Sequence, residues 1–162
     1  LARNNTGRTK TSRTQKTEAA KAPPVKKSVL DFVEPKLLEA LIKDSGIEFL
    51  GHKDNMHEVL PLMSLIVLPS FYREGLPKIL IEAAACGKPI VTTDHPGCRD
   101  AVIDKKTALL VPVRNEIKLA EAIEKLLENS KLRIQMGRAN RTLAVSKFDL
   151  NYIVPKVMQL YK

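Results

Sequence analysis

The chain has 162 residues, 44% hydrophobic but only 4% aromatic, with no Trp and a formal net charge of +9, enough for one domain with a buried core. Its longest apolar runs, LIVLP and ALLVPV, fall far short of the about 20 residues that cross a bilayer, and no charged-then-apolar secretory signal opens it. Two cysteines, Cys86 and Cys98, are too few and too oddly spaced for a disulfide framework or a metal site, so a reduced, cytoplasmic setting is expected.

Residues 1–33 hold eight Lys or Arg against Glu18 and Asp31, so most of the positive charge sits at this end. Residues 1–27 have almost no large apolar side chains and no periodicity, and they read as a disordered basic tail, since nothing there offsets the entropy of ordering it. Such an arm can attract nucleic acid, but it lacks the interleaved aromatics of a stacking surface, and no nucleic-acid partner is expected. Residues 28–162 read as one Rossmann-like domain.

Within that domain EPKLLEALIKDSG is a predicted helix, opened by Pro35 and stopped by Gly46. IEFLG is a predicted strand. DNMHEVLPLM is a helix capped by Asn55 and shortened by Pro61. LIVLPS is a continuous apolar strand of the kind parallel sheets bury. PKILIEAAAC is a helix with Pro77 at its start and Gly87 past its end. PIVTT is a strand, DHPGCRD a loop, TALLVPV a strand, and NEIKLAEAIEKLLEN a helix capped by Asn115. Two further helices, SKLRIQMGRANRTLAVSKF and NYIVPKVMQLYK, complete the pattern. Strands alternating with helices predict an α/β fold, a doubly wound parallel sheet with helices on both faces. Ligands bind such sheets beyond the carboxyl ends of the strands.

The stretch REGLPKILIEAAAC carries two carboxylates, Glu74 and Glu82, eight residues apart. A helix starting at GLPKI presents unpaired N–H groups that suit a phosphate. Gly75 lets backbone approach a ligand, and Lys78 adds positive charge. Glu82 is placed to accept hydrogen bonds from a ribose diol and Glu74 from sugar hydroxyls beyond the phosphates, which together describe a nucleotide sugar. The plainer alternative pairs Glu82 with Lys78 at i,i+4 on a solvated strip. Spacing leaves both open, although a carboxylate unpaired among Ile79, Leu80, Ile81 and Ala83–Ala85 would be costly.

REGLPKILIEAAACGKPIVTTDHPGCRDAVID closely resembles the signature of retaining glycosyltransferases of the GT-B fold, and the resemblance extends over about residues 29–150. It looks closest to bacterial members that build capsule, O-antigen or other lipid-linked oligosaccharides. It implies that Glu74 contacts the donor sugar as the catalytic-site acid, that Glu82 holds the ribose diol, and that backbone around Gly75, Leu76 and Lys78 approaches sugar and diphosphate. It implies transfer with retention to a saccharide or lipid-linked saccharide, the leaving diphosphate taking the acceptor proton, with no metal and no cofactor. Peripheral attachment at the inner membrane face is consistent with such an acceptor.

The departures from the family pattern are also specific. An N-terminal acceptor domain has no counterpart here, nor does the opening strand with its glycine-rich turn and basic residues. The expectation is a truncated chain with little activity alone, a gene remnant or one half of a split enzyme. The loop PSFYREG is one residue longer than usual. Lys105 and Ala108 stand where relatives often have glycines, removing an easy positive-φ turn. The last helix would present Tyr152, Val154, Met158 and Tyr161 to solvent or to a partner, which is either a complementary N-terminal domain or a second copy. A non-catalytic interaction domain is therefore the competing expectation. His52, His57 and His95 read as scattered surface or loop residues, Cys86 as core, Cys98 as a residue able to approach a ligand, and Asp94 and Asp100 as turn caps.

Overall fold

The computed structural model describes residues 40, 42, 43, 45–72 and 75–161. The basic tail, the start of the first predicted helix, and Glu74 lie outside the described residues. The chain divides into one unit up to Leu50 and a second from Gly51. In the first, Ala40 and Ile42 are helical and Gly46 turns the chain with φ 71°, as a helix-stopping glycine does. The strand expected at Ile47–Gly51 is not formed. Among the described residues this segment joins no ladder, and Ile47 and Phe49 are more than half or half exposed. A strand exists only by pairing, and apolar composition alone does not supply a neighbour.

The second unit runs α1 (Met56–Val59), a 3₁₀ turn (Leu60–Leu62), β1 (Ile66–Leu68), α2 (Lys78–Ala85), β2 (Ile90–Thr93), α3 (Pro96–Ala101), β3 (Ala108–Val111), α4 (Glu116–Glu128), α5 (Ser130–Leu143), a π turn (Ala144–Phe148) and α6 (Leu150–Gln159). Pro61 ends α1 early, as its missing N–H and fixed φ require. Asn55 precedes α1 but makes no side-chain cap; its amide donates to Glu58 Oε2 instead. DHPGCRD, expected as a loop, supplies all of α3 but its last residue, with Pro96 at the first helical position, where its ring pre-sets helical φ and no N–H is needed.

The three strands are parallel in the order β1-β2-β3, with Ile66, Ile90 and Ala108 in register. Side chains alternate across a strand, and the core divides accordingly. Ile66, Leu68, Ile90, Ala108 and Leu110 pack with Leu80, Ala83, Cys98 and Ala101 of α2 and α3. Val67, Val91, Leu109 and Val111 pack with Ala122, Leu126, Leu132 and Met136 of α4 and α5. Each fully buried side chain of Leu or Ile size is worth about 1.5–3 kcal/mol, and β2, buried along its whole length, serves both faces. The predicted parallel sheet with helices on both faces is what forms.

A seam closes the amino edge of the sheet. After α2, Gly87 (φ 65°) donates to Ala84 O and Lys88 N donates to Ala83 O, a Schellman ending. Helix α5 lies directly on this turn: a Cβ at Gly137 would sit 2.2 Å from Gly87 O. Buried Asn140 then donates to the carbonyls of Lys88 and Thr107, both at 2.7 Å, just before β2 and β3. Arg141 donates to Ala85 O at 2.6 Å.

At the outer side of β3 the chain folds back on itself. Ala108 N donates to Ile103 O, Lys105 N donates to Ala108 O, and Leu110 N donates to Asp104 Oδ1 at 3.0 Å. The positive-φ turn expected to be lost is kept: Lys105 adopts φ 58° despite its side chain. Asn115, Asn129 and Asp149 cap α4, α5 and α6 by accepting from backbone N–H groups.

Candidate donor site at the carboxyl edge

Helix α2 starts in the loop that leaves β1, so its N-terminus lies at the edge where parallel sheets bind ligands. Unlike α4–α6, it has no side-chain cap among the described residues; Pro77, buried and extended, occupies that position. Gly75 is exposed, its φ is not left-handed, and an added Cβ would meet nothing within 4 Å. The chain's own packing therefore imposes no glycine there. Leu76 is 43% exposed.

Lys78 opens α2, and its Nζ lies 3.1 Å from Glu82 Oε1, with the two side chains 88% and 33% exposed. Glu82 is thus neither buried nor unpaired. Leu80, Ala83 and Ala84 turn into the core, and the helix rotates Glu82 to its rim. An exposed i,i+4 pair is worth only about 0.3–0.5 kcal/mol, and this one has Lys N-terminal to Glu, the weaker order. Helix stability is a poor reason for it.

Lys78 and Glu82 open together on a cavity of about 320 Å3 whose far wall is Asp54, Met56 and His57, with Leu60 at its floor. Cys86 also lines it and belongs to neither core cluster, whereas Cys98 is 1% exposed inside the core. The two cysteines have exchanged their expected roles. One helical turn from Glu82 puts Cys86 on the same rim, while α3, unforeseen, buries Cys98. A second cavity, of about 200 Å3, lies where β2 and β3 end, bounded by Phe71, Thr93, Pro112 and Arg114. Neither cavity is legible in the sequence, because each is made by elements remote from one another along the chain.

His52 and His57 sit on the surface in contacts of 3.0 and 3.8 Å with Asp54 and Glu58. Asp94 pairs with Arg99 at 2.7 Å and does not cap. Among the described residues no three His, Cys, Asp or Glu side chains cluster as metal ligands, and no helix is long and apolar enough to cross a membrane.

A parallel sheet with helices on both faces places the chain in the Rossmann-like class of α/β folds. The family model described as "Glycosyl transferases group 1" matches residues 31–143, and the chain belongs to that family. It is 34% identical over 120 residues to the N,N'-diacetylbacillosaminyl-diphospho-undecaprenol alpha-1,3-N-acetylgalactosaminyltransferase of Campylobacter jejuni, covering 74% of this chain and 31% of that protein. It is 32% identical to the capsular polysaccharide biosynthesis glycosyltransferase CapM of Staphylococcus aureus, covering 75% and 32%. Anabaena Alr3699/HepE, solved in complex with UDP-glucose, has the same fold, with TM-score 0.72 and 21% identity over 78% of this chain and 36% of that one. The chain spans about a third of the length of the curated relatives it matches.

Proposed function

We propose that this chain binds a nucleoside diphosphate sugar and supplies the donor side of a retaining glycosyl transfer in cell-surface polysaccharide assembly. One observation carries the reading: Lys78, in the first turn of α2, pairs with Glu82, and both line a cavity that runs along the helix between it and α1. The diphosphate rests on the N–H groups around Gly75, Leu76 and Lys78, where backbone dipoles and the lysine stabilise negative charge. Glu82 exchanges its weak pair with Lys78 for the two hydroxyls of the ribose. Glu74, eight residues earlier, takes hydroxyls of the transferred sugar. As the glycosidic bond breaks, charge develops on the diphosphate, and stabilising that charge is the main catalytic work. The diphosphate then takes the proton of the acceptor hydroxyl attacking from the same face, with no metal in the scheme. The acceptor is a saccharide or lipid-linked saccharide, which brings the chain to a membrane face.

Calorimetry tests this with UDP-glucose, UDP and GDP on the full chain. The wild type binds one of them, and Glu82→Ala weakens it by roughly 10-fold or more, the scale of hydrogen bonds to a charged group. No binding, or binding indifferent to Glu82→Ala, removes the proposal.

A second reading, a non-catalytic interaction domain, rests on α6, which exposes Leu150, Val154, Val157 and Met158 on one face. It requires a partner chain or a second copy. A monomer by size-exclusion chromatography whose apparent size does not change in Val157→Asp counts against self-association.

A further inference from the structure

We propose that the cavity between Phe71, Thr93 and Arg114 is a subsite for one sugar ring of the acceptor, an inference that rests on the donor reading above. The cavity lies at the carboxyl edge: Thr93 and Val111 are the last residues of β2 and β3, and Phe71 belongs to the loop that runs on to Gly75 and Lys78. It shares no lining residue with the cavity of Glu82, so both can be filled at once. At about 200 Å3 it is below the ~300–1,000 Å3 typical of pockets for larger ligands. A single pyranose suits that volume and a nucleotide does not.

The lining has the chemistry of a sugar ring, which is apolar on its C–H faces and polar around its rim. Phe71, Pro112 and Leu119 form apolar walls, while Arg114 and Glu116 stand at the mouth. Phe71 and Tyr72 lie with ring centroids 4.2 Å apart, 41% and 57% exposed. Phe71, which lines the cavity, thus offers a partly exposed aromatic face that fits the apolar C–H face of a sugar ring. The Arg114 guanidinium carbon sits 4.8 Å from the Phe71 centroid, and its backbone has φ 56°, a conformation that L side chains rarely adopt. A glycine would hold this turn without strain, yet the position carries the side chain with the most hydrogen-bond donors. An entering ring displaces the guanidinium from Phe71, takes its place on the aromatic face, and receives its N–H groups at the hydroxyls.

Ligand-observed NMR with methyl α-D-glucopyranoside and methyl N-acetyl-α-D-galactosaminide, on the full chain with and without UDP, tests the assignment. One glycoside binds in both conditions. Phe71→Ala weakens it at least fivefold and leaves UDP affinity unchanged. Arg114→Gly weakens it while raising the melting temperature, a combination that a purely structural arginine does not produce. Absence of glycoside binding, or binding indifferent to both substitutions, overturns the proposal. Competition by UDP-glucose but not by UDP assigns the ring to the donor sugar and also overturns it. Failure of the donor reading shows separately, as UDP binding that is absent or insensitive to Glu82→Ala.

Discussion

The two ends of the three-stranded sheet are built on opposite terms. At the amino edge the elements are locked to one another: Gly137 against the Gly87 turn, Asn140 across the carbonyls that precede β2 and β3, Arg141 on the end of α2. At the carboxyl edge Phe71, Tyr72, Leu76 and Val113 stay exposed, a cavity opens where β2 and β3 end, and Arg114 is held in a strained conformation. On the donor reading proposed above, the close packing of one end lets the other keep groups exposed for a ligand.

Substitutions at the two ends should separate accordingly. Gly137→Ala has the largest expected effect, since backbone has to move away from the new Cβ; a loss of about 3 kcal/mol is expected in urea unfolding. A loss under 1 kcal/mol would mean that the seam is loose and the contrast overstated. Asn140→Ala leaves the buried Thr107 carbonyl and the part-buried Lys88 carbonyl without this donor, and about 2 kcal/mol should disappear from the same measurement, with UDP affinity unchanged at temperatures where the variant is folded. Lys105→Gly moves the other way. Relieving a left-handed residue should stabilise by about 1 kcal/mol, seen as a higher thermal midpoint. Glu82→Gln has the smallest effect on folding, below about 0.5 kcal/mol, yet it should weaken nucleotide-sugar binding in calorimetry. If its folding cost exceeded that of Asn140→Ala, the carboxyl edge would be a structural element after all.

What the sequence disclosed and what it withheld follow the range of the interactions. Strands β1–β3 were legible because Ile66–Leu68, Ile90–Thr93 and Ala108–Val111 are local apolar runs bounded by turn residues, and Asn115 was recognisable as a cap from its neighbours alone. Ile47–Gly51 has the same local character but no ladder partner, and pairing is not a local property. Cys86 and Cys98 were misassigned because their burial depends on how α2 is rotated and on α3, which Pro96 starts. The placement of Glu82 beside Lys78 was readable from their spacing. That the pair borders a cavity shared with Asp54 and His57 was not, and neither was the bridge from Asn140 to Thr107, 33 residues away.

The fold-back at residues 103–107 has a consequence beyond the turn itself. Ile103, Asp104 and Lys105 occupy the N–H and C=O of Ala108 and the N–H of Leu110, the groups with which an incoming chain would extend the sheet past β3. An unguarded border strand recruits further copies into aggregates, and here a single aspartate oxygen holds the outermost donor. Asp104→Ala would free that donor, and the protein should then precipitate more readily on storage with its melting behaviour little altered.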